Sequence, residues 1–307
     1  MTTNCLLNFQ KLHRNELSSI LPYLSGKNAV AADYSTLYFH MWNTYLRTEY
    51  ALCDDVLFLR RNTRHGIFYY PPLRAGKGEL LCDVEKLFEV LGTDCVQLCA
   101  IPEDALPYLE ENYTVLNADG SRRFADYIYA AEDLATLRGH RYNKKRNLVH
   151  QFEKLYPEHT YEEITRENIG EVCEFMQTMM RENEQTEDER FECERVLDVL
   201  ADYFALPLCG GLVRVEGRVA AFAVGERLDD TLLVHIEKAD RAFKGAYQYI
   251  NYRFVKEELA RAPFSFVNRE DDTGDEGLRQ AKLSYHPINI LQKYRVVLKK
   301  GKEGDAK

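Results

Sequence analysis

Residues 211–245 read GLVRVEGRVAAFAVGERLDDTLLVHIEKADRAFKG. Short apolar runs separated by polar residues are typical of antiparallel strands, and the longer periodic stretch that follows is typical of a helix. The pattern predicts three strands, a helix and a further strand, near 211–216, 219–227, 231–237, 244–260 and 264–268. This part of the chain is therefore predicted to be a mixed α/β layer.

The same order of elements recurs in the first half of the chain. It predicts three strands, a helix and a strand near 48–53, 56–61, 66–70, 80–91 and 94–101. Each helix begins at a near-copy of one pentapeptide, Arg74-Ala75-Gly76-Lys77-Gly78 and Arg241-Ala242-Phe243-Lys244-Gly245, at an offset of 167 residues. Because the strands share this register, we predict a duplication with two domains, 1–133 and 134–307.

The predicted element order resembles the core of the GNAT acyltransferases. A glycine turn that opens a helix leaves backbone N–H groups that attract phosphate. Lys244, Gly245 and Ala246 are therefore candidates for binding the phosphates of an acyl carrier, and the alternative is an ordinary helix start. We predict an α/β (α+β) chain of two tandem GNAT-like acyltransferase domains, with mixed central sheets flanked by helices and the active cleft in the C-terminal domain.

Composition excludes several classes of protein. With 45% apolar and 29% charged residues, the chain of 307 residues is not a disordered one. A net charge of -9 excludes a protein that coats nucleic acid through its overall field. The longest apolar run, 219–224, is too short to span a bilayer, and the N-terminus lacks a secretory pattern, which predicts a cytoplasmic protein. No HxxH, HExxH or CxxC motif is present, so we predict no metal site.

A local basic patch precedes and begins a predicted helix at 139–156. Its five cations are Arg138, Arg141, Lys144, Lys145 and Arg146. Helical spacing puts Arg141, Lys144 and Lys145 near the apolar side of the helix. Cations that point toward an interior need anions from the protein or from a ligand; otherwise their long side chains extend to water at the helix end.

A second group of polar residues, NREDDTGDEGLRQAKLSYHP at 268–287, directly follows a predicted strand. Ligands of α/β sheets usually lie at this place. From Asp275 a short helix would direct Lys282 toward the core, where Glu270, Asp271 or Asp272 could be its partner. In the GNAT resemblance Tyr285 is a positional candidate for the acid that protonates the leaving group. The alternative is a capped turn with Tyr285 as core filling.

These segments together resemble the phosphatidylglycerol lysyltransferase C-terminal domain family, in particular its stand-alone soluble members. The resemblance rests on 133–139, Lys144-Lys145-Arg146-Asn147 through Phe152, Asn268-Arg269-Glu270, 275–278 and 281–287, and it covers nearly the whole chain. It implies a tandem GNAT fold and aminoacyl transfer from aminoacyl-tRNA to a lipid hydroxyl. The family is also similar in fold to the Fem-type transferases, which use charged tRNA to add amino acids to cell-wall peptides.

The resemblance also implies roles for individual residues. Arg146 and Lys282 would be site residues, and a tRNA phosphate backbone would supply the anions for the basic patch. Asn268, Glu270 and Asp271 would lie beside the cleft. The transmembrane region of the full-length membrane synthases is absent from this sequence, so the resemblance leaves the lipid acceptor open, with peripheral lipid contact as one alternative.

The predicted activity is aminoacyl or acyl transfer to a hydroxyl or amine, with aminoacyl-tRNA or acyl-CoA as donor substrate and no resident cofactor implied. Lys282 with Arg146 would bind carrier phosphate or stabilise an oxyanion. Glu270 or Asp271 would abstract a proton or bind an amine, and Tyr285 would act as the acid. The alternatives are an acetyl-CoA-dependent N-acetyltransferase and a non-catalytic tandem GNAT-like ligand-binding protein. The oligomeric state is left open.

Overall fold

The computed structural model describes residues 7–25, 30–76, 78–182 and 186–301. The chain folds into two compact units. The first takes its described residues from Met1–Asp126, Asp271–Gly274 and Ile290–Lys307, and the second from Tyr127–Glu270 and Asp275–Asn289.

The described residues contain both helices and strands. Ten α-helices are found there: α1 (Leu17–Leu24), α2 (Thr36–Leu46), α3 (Val84–Leu91), α4 (Leu106–Asn112), α5 (Ala131–Thr136), α6 (Asn143–Leu155), α7 (Ile169–Glu182), α8 (Glu187–Asp202), α9 (Ala246–Arg261) and α10 (Glu276–Leu283). The same residues contain fifteen strands: β1 (Gln10–Lys11), β2 (Thr48–Cys53), β3 (Val56–Thr63), β4 (Gly66–Tyr69), β5 (Leu73–Arg74), β6 (Cys95–Pro102), β7 (Thr114–Gly120), β8 (Asp126–Ala130), β9 (Thr160–Glu163), β10 (Leu208–Val215), β11 (Arg218–Leu228), β12 (Thr231–Ala239), β13 (Phe266–Asn268), β14 (Asn289–Leu291) and β15 (Lys293–Lys299).

The sheet of the first unit has the order β1-β2-β3-β4-β6-β15-β7, with β5 paired to β3. β4 and β6 run parallel, and β15 lies antiparallel to both β6 and β7. Apolar side chains such as Phe58, Phe88, Leu98 and Val296 form the core of this unit. The C-terminal strand therefore pairs within the first unit, and the division between units falls after Asp126, whereas the predicted domains were 1–133 and 134–307.

The sheet of the second unit has the order β14-β8-β13-β12-β11-β10-β9. β12 and β13 run parallel and are joined through α9, whereas β13 is antiparallel to β8 and β11 is antiparallel to both β10 and β12. α5 and α6 both pack against α9. Phe152 of α6, Phe222 of β11 and Phe254 of α9 are fully buried in this unit.

The predicted duplication corresponds to a repeated element order. Apart from the short strand β5 before α3, β2-β3-β4-α3-β6 in the first unit has the same order as β10-β11-β12-α9-β13 in the second. In both, the strand after the helix runs parallel to the third strand of the set, since Tyr69 of β4 pairs with Leu98 and Leu232 of β12 pairs with Val267. Lys77 of the first pentapeptide lies outside the described residues. Two mixed sheets flanked by helices confirm the predicted fold class.

Candidate functional site

In the second unit, β12 and β13 pair only at the start of β12. Their ladder ends where Leu233 pairs with Asn268, but β12 continues to Ala239. On the other side of β12 the register with β11 shifts around His235, because Val224 pairs with Ile236 and Gly225 with Val234. We use the term fork for His235 and Glu237 of β12 together with Arg269 and Glu270 after β13.

Two polar pairs connect the sides of the fork. Glu270 Oε1 lies 2.6 Å from His235 Nδ1, and Arg269 Nη2 donates to Glu237 Oε2 over 3.0 Å. The His235 side chain is fully buried, whereas that of Glu270 is 25% exposed. A carboxylate that is held by an imidazole and still reaches solvent can accept a proton from a substrate.

Arg269 supplies a largely buried cation next to this pair. Burial alone would lower the pKa of Arg269, but Glu237 and the neighbouring Tyr129 and Tyr285 outweigh it and hold that pKa above its ordinary value. The Nη1 atom is buried and has no hydrogen-bond partner among the residues that the structure describes. A charged N–H donor of this kind can bind an anionic oxygen.

The backbone around Arg269 and Glu270 is fixed by two buried side chains. Asn268 Oδ1 accepts from the Glu270 N–H over 2.7 Å, and Glu270 has a left-handed φ of 55°. The Lys282 ammonium donates to the carbonyl oxygen of Arg269 over 2.6 Å. The sequence predicted an acidic partner for Lys282, and the structure shows a backbone carbonyl as one of its partners. Asn268 and Lys282 thus position the fork residues.

Tyr285 connects the fork to α6, the helix at whose start the basic patch lies. The Lys145 ammonium nitrogen lies 4.0 Å from the centroid of the Tyr285 ring, and the Tyr142 hydroxyl donates to the Tyr285 carbonyl oxygen over 3.2 Å. Burial, followed by the charge of Arg269, lowers the pKa of Lys145 to about 8, with Glu237 opposing the shift. Burial raises the pKa of Tyr285, so its phenol stays protonated at neutral pH.

The other predicted cations lie outside the fork. The Arg146 guanidinium donates to the carbonyl oxygens of Leu137 and Gly139 and closes the turn before α6. Arg141 pairs with Asp133 over 2.5 Å, and Lys144 is exposed. The two signature segments therefore meet through Lys145 and Tyr285.

Asp271 belongs to the first unit. Its Oδ1 atom accepts from the Thr273 N–H over 3.0 Å, as in a turn stabilised by a side chain. Among the predicted site residues, the structure gathers Lys145, Asn268, Glu270, Lys282 and Tyr285 at the fork of the second unit.

The predicted carrier-binding residues lie at the start of α9, where α6 packs closely against the chain. They are Lys244, Gly245 and Ala246. Gly245 has a φ of 88°, and a Cβ atom there would lie 2.7 Å from the carbonyl oxygen of Leu148. The Lys244 N–H donates to the Tyr156 hydroxyl over 3.2 Å, and the Ala246 N–H donates to the Phe243 carbonyl over 3.0 Å. The glycine is explained by helix packing, and these two N–H groups are used within the unit.

Gly245→Ala is therefore expected to lower the free energy of unfolding by about 2–4 kcal/mol, because left-handed strain adds to a contact with backbone. The matched control is Gly76→Ala, since Gly76 has a φ of 76° but nothing within 4 Å of its would-be Cβ. Strain alone should cost Gly76→Ala about 1 kcal/mol. Urea unfolding of both variants measures the difference, and equal losses would contradict the packing explanation.

Three residues of the fork were not predicted from the sequence: His235, Glu237 and Arg269. A signal was present for the first two, because they occupy alternate positions in the largely apolar strand TLLVHIEKA. Polar side chains inside such a strand require partners, which the structure supplies from the segment after β13. Arg269 lies in the segment Asn268-Arg269-Glu270, but no role was predicted for it.

The family model for phosphatidylglycerol lysyltransferase, C-terminal, matches residues 28–297. The chain belongs to this family. One similar solved structure is that of a conserved protein of unknown function from Bacteroides thetaiotaomicron VPI-5482. It is 30% identical, has a TM-score of 0.82, and the alignment covers 96% of this chain and 100% of that chain.

Two more distant structures share the fold of this phosphatidylglycerol lysyltransferase family member. L-PGS from Bacillus licheniformis is 12% identical with a TM-score of 0.58, over 95% of this chain and 93% of that one. FemX is 11% identical with a TM-score of 0.56, over 93% and 97% of the two chains. An uncharacterized protein of Mycoplasmoides gallisepticum is 25% identical over 174 residues, so the match spans only 55% of that curated relative.

The predicted family is thereby confirmed. The family is named for a lysyltransferase, and L-PGS and FemX share the fold of this chain. Within the described residues, no helix has both the length and the apolar character needed to cross a membrane. The same residues contain no group of three or more His, Cys, Asp or Glu side chains placed to hold a metal ion.

Proposed function

We propose that the protein transfers an aminoacyl group from aminoacyl-tRNA to a hydroxyl or amine acceptor at the fork of the second unit. One observation carries this proposal: Glu270, which lies 2.6 Å from His235, directly follows Arg269 in sequence, and the buried Nη1 atom of Arg269 has no hydrogen-bond partner among the described residues. Acyl transfer needs a base for the attacking group and a donor for the developing oxyanion. Adjacent residues supply both.

In the proposed reaction, Glu270 accepts the proton of the acceptor as the acceptor attacks the carbonyl carbon of the aminoacyl ester. His235 holds one oxygen of that carboxylate and so fixes its orientation. Arg269 donates from Nη1 to the carbonyl oxygen while negative charge develops on it. The ribose oxygen leaves, and the protonated phenol of Tyr285 gives it a proton. Lys282 and Asn268 act as positioning residues through the backbone.

The exposed cations before and at the start of α6 support a phosphate-rich carrier. The side chains of Arg138 and Arg141 are 83% and 51% exposed, and Lys144 is exposed beside them. Exposed cations clustered in this way bind the phosphates of a nucleic-acid backbone, and other groups carry out the chemical step. Because aminoacyl-tRNA is made and used in the cytoplasm, the proposal places the protein there.

The test follows a labelled amino acid from charged tRNA to phosphatidylglycerol vesicles and to small amines. Arg138→Gln with Lys144→Gln should weaken binding of charged tRNA about 5- to 20-fold at 0.1 M salt and reduce the salt slope by about 2. The matched control is Lys154→Gln, an exposed cation at the other end of α6, where we expect less than a twofold change.

Three outcomes would contradict the proposal. If the Lys154→Gln control weakened the binding of charged tRNA equally, the basic patch would not be the carrier site. Consumption of acetyl-CoA, with the label left on tRNA, would identify an acetyltransferase. Saturable binding of charged tRNA with no label transferred to any acceptor would identify a binding protein.

A further inference from the structure

Lys145 lies beside the fork, and the proposed transfer does not use it. Its ammonium nitrogen is 4.0 Å from the Tyr285 ring centroid, and the Arg269 guanidinium carbon is 4.9 Å from the same centroid. Two cations thus share one buried ring. A ring attracts each cation, but like charges this close disfavour the protonated amine.

Other lysines with limited exposure in the described chain have compensating partners. Lys238 pairs with Glu192 over 2.6 Å, and Lys293 pairs with Asp126 over 2.7 Å and with Asp33 over 2.6 Å. Burial would lower the pKa of both, but these carboxylates raise it above the ordinary value. Lys145 differs because burial and Arg269 both lower its pKa, outweigh the opposing effect of Glu237 and bring that pKa to about 8. The half-buried amine is therefore partly neutral at physiological pH.

We propose that Lys145 is a site of covalent acylation by small acyl phosphates and acyl thioesters, and that this modification switches off transfer at the fork. The neutral amine attacks the acyl carbon, and an N–C bond forms. The C–O bond to phosphate, or the C–S bond to the thiol, breaks, and phosphate or thiolate leaves. The amine proton passes to water, and the product is a neutral amide.

Two consequences at the fork follow from this amide. The modification removes one of the two cations at Tyr285 and adds an acyl group beside the ring. The effect on transfer rests on the proposed function, whereas the acylation itself does not.

The expected selectivity follows from the unprotonated fraction. At pH 7.5 an amine with a pKa of about 8 is about one quarter neutral, whereas an ordinary lysine amine is about 0.1% neutral. Partial burial slows access, so we expect Lys145 to be acetylated about 10- to 100-fold faster than Lys144. Lys144 is the matched internal control because it is exposed on the same turn of α6.

The experiment treats the full chain with acetyl phosphate and measures occupancy at each lysine by fragment-ion mass spectrometry. The rate at Lys145 should be half-maximal near pH 8. The Lys145→Arg variant supplies the blank for the modified peptide. Equal rates at the two lysines at pH 7.5, or a midpoint above pH 10 for Lys145, would overturn the proposal.

A second arm measures transfer by protein of known acetyl occupancy. The transfer rate should fall in proportion to acetylation of Lys145, and Lys145→Gln should lower it about 10-fold. Undiminished transfer by fully acetylated protein would overturn the switch. If unmodified protein transfers nothing, the proposed function fails, and the acetylation rates still decide the chemistry of Lys145.

Discussion

Lys293→Met is expected to lower the free energy of unfolding of the first unit by about 3–5 kcal/mol. The Lys293 ammonium lies 2.6 Å from Asp33 Oδ2 and 2.7 Å from Asp126 Oδ1, and all three side chains are at most 8% exposed. Arg61 pairs with the other oxygen of Asp33 over 3.0 Å. Removing the ammonium leaves two buried carboxylates close together with one cation, and that arrangement is costly.

The loss should depend on pH. Burial acts to raise the pKa of Asp33, but Lys293 and Arg61 together lower it to about 2. A pKa below that of the unfolded chain means that the carboxylate stabilises the fold above about pH 4, and that this contribution disappears as the pH falls toward 2. Lys293→Met should therefore destabilise the fold strongly at pH 7 and much less at pH 3, where protonation reduces the repulsion between the carboxyl groups.

Urea unfolding at both pH values measures this effect. The single tryptophan, Trp42, lies on α2 of the first unit and reports on its unfolding by fluorescence. The matched control is Lys299→Met, because Lys299 is exposed on the same strand, and it should change the free energy of unfolding by less than about 0.5 kcal/mol. Similar losses from both variants would show that the buried network does not stabilise the unit.

The element order of the fold was predictable because short-range patterns determine it. Predicted helices at 80–91 and 244–260 correspond to α3 and α9, with boundaries that differ by four residues or fewer. The partner of β15 was not predictable, since its strand pairs with β6 and β7 far earlier in the chain. A local pattern shows that a segment is a strand but carries no information on which distant strand it joins.

The site was predictable to the extent that burial and chemistry leave a local mark. The acidic segment after β13 was visible in the sequence, and helical spacing placed Lys145 near the apolar side of its helix. The partner of Lys282 was not, because a backbone carbonyl has no signature in the residue types. His235 and Glu237 were missed because polar residues at every second position also describe a strand with one face in water.

Glu270→Gln is expected to lower the transfer rate by about 10²- to 10⁴-fold while leaving the affinity for charged tRNA unchanged. The amide keeps the size of the side chain and can still hydrogen-bond to His235, but it cannot accept the proton of the acceptor. Its effect should therefore fall on the chemical step in single-turnover measurements, with tRNA binding as the separate readout.

The matched control is Glu276→Gln, because Glu276 is a carboxylate on α10 of the same segment and its side chain is 67% exposed. We expect a wild-type transfer rate from this control and a free energy of unfolding within about 1 kcal/mol of wild type from both variants. A folded Glu270→Gln protein that transfers at the wild-type rate would show that Glu270 is not the base. The proton would then have to leave by another group, and the short contact with His235 would have only a structural role at the fork.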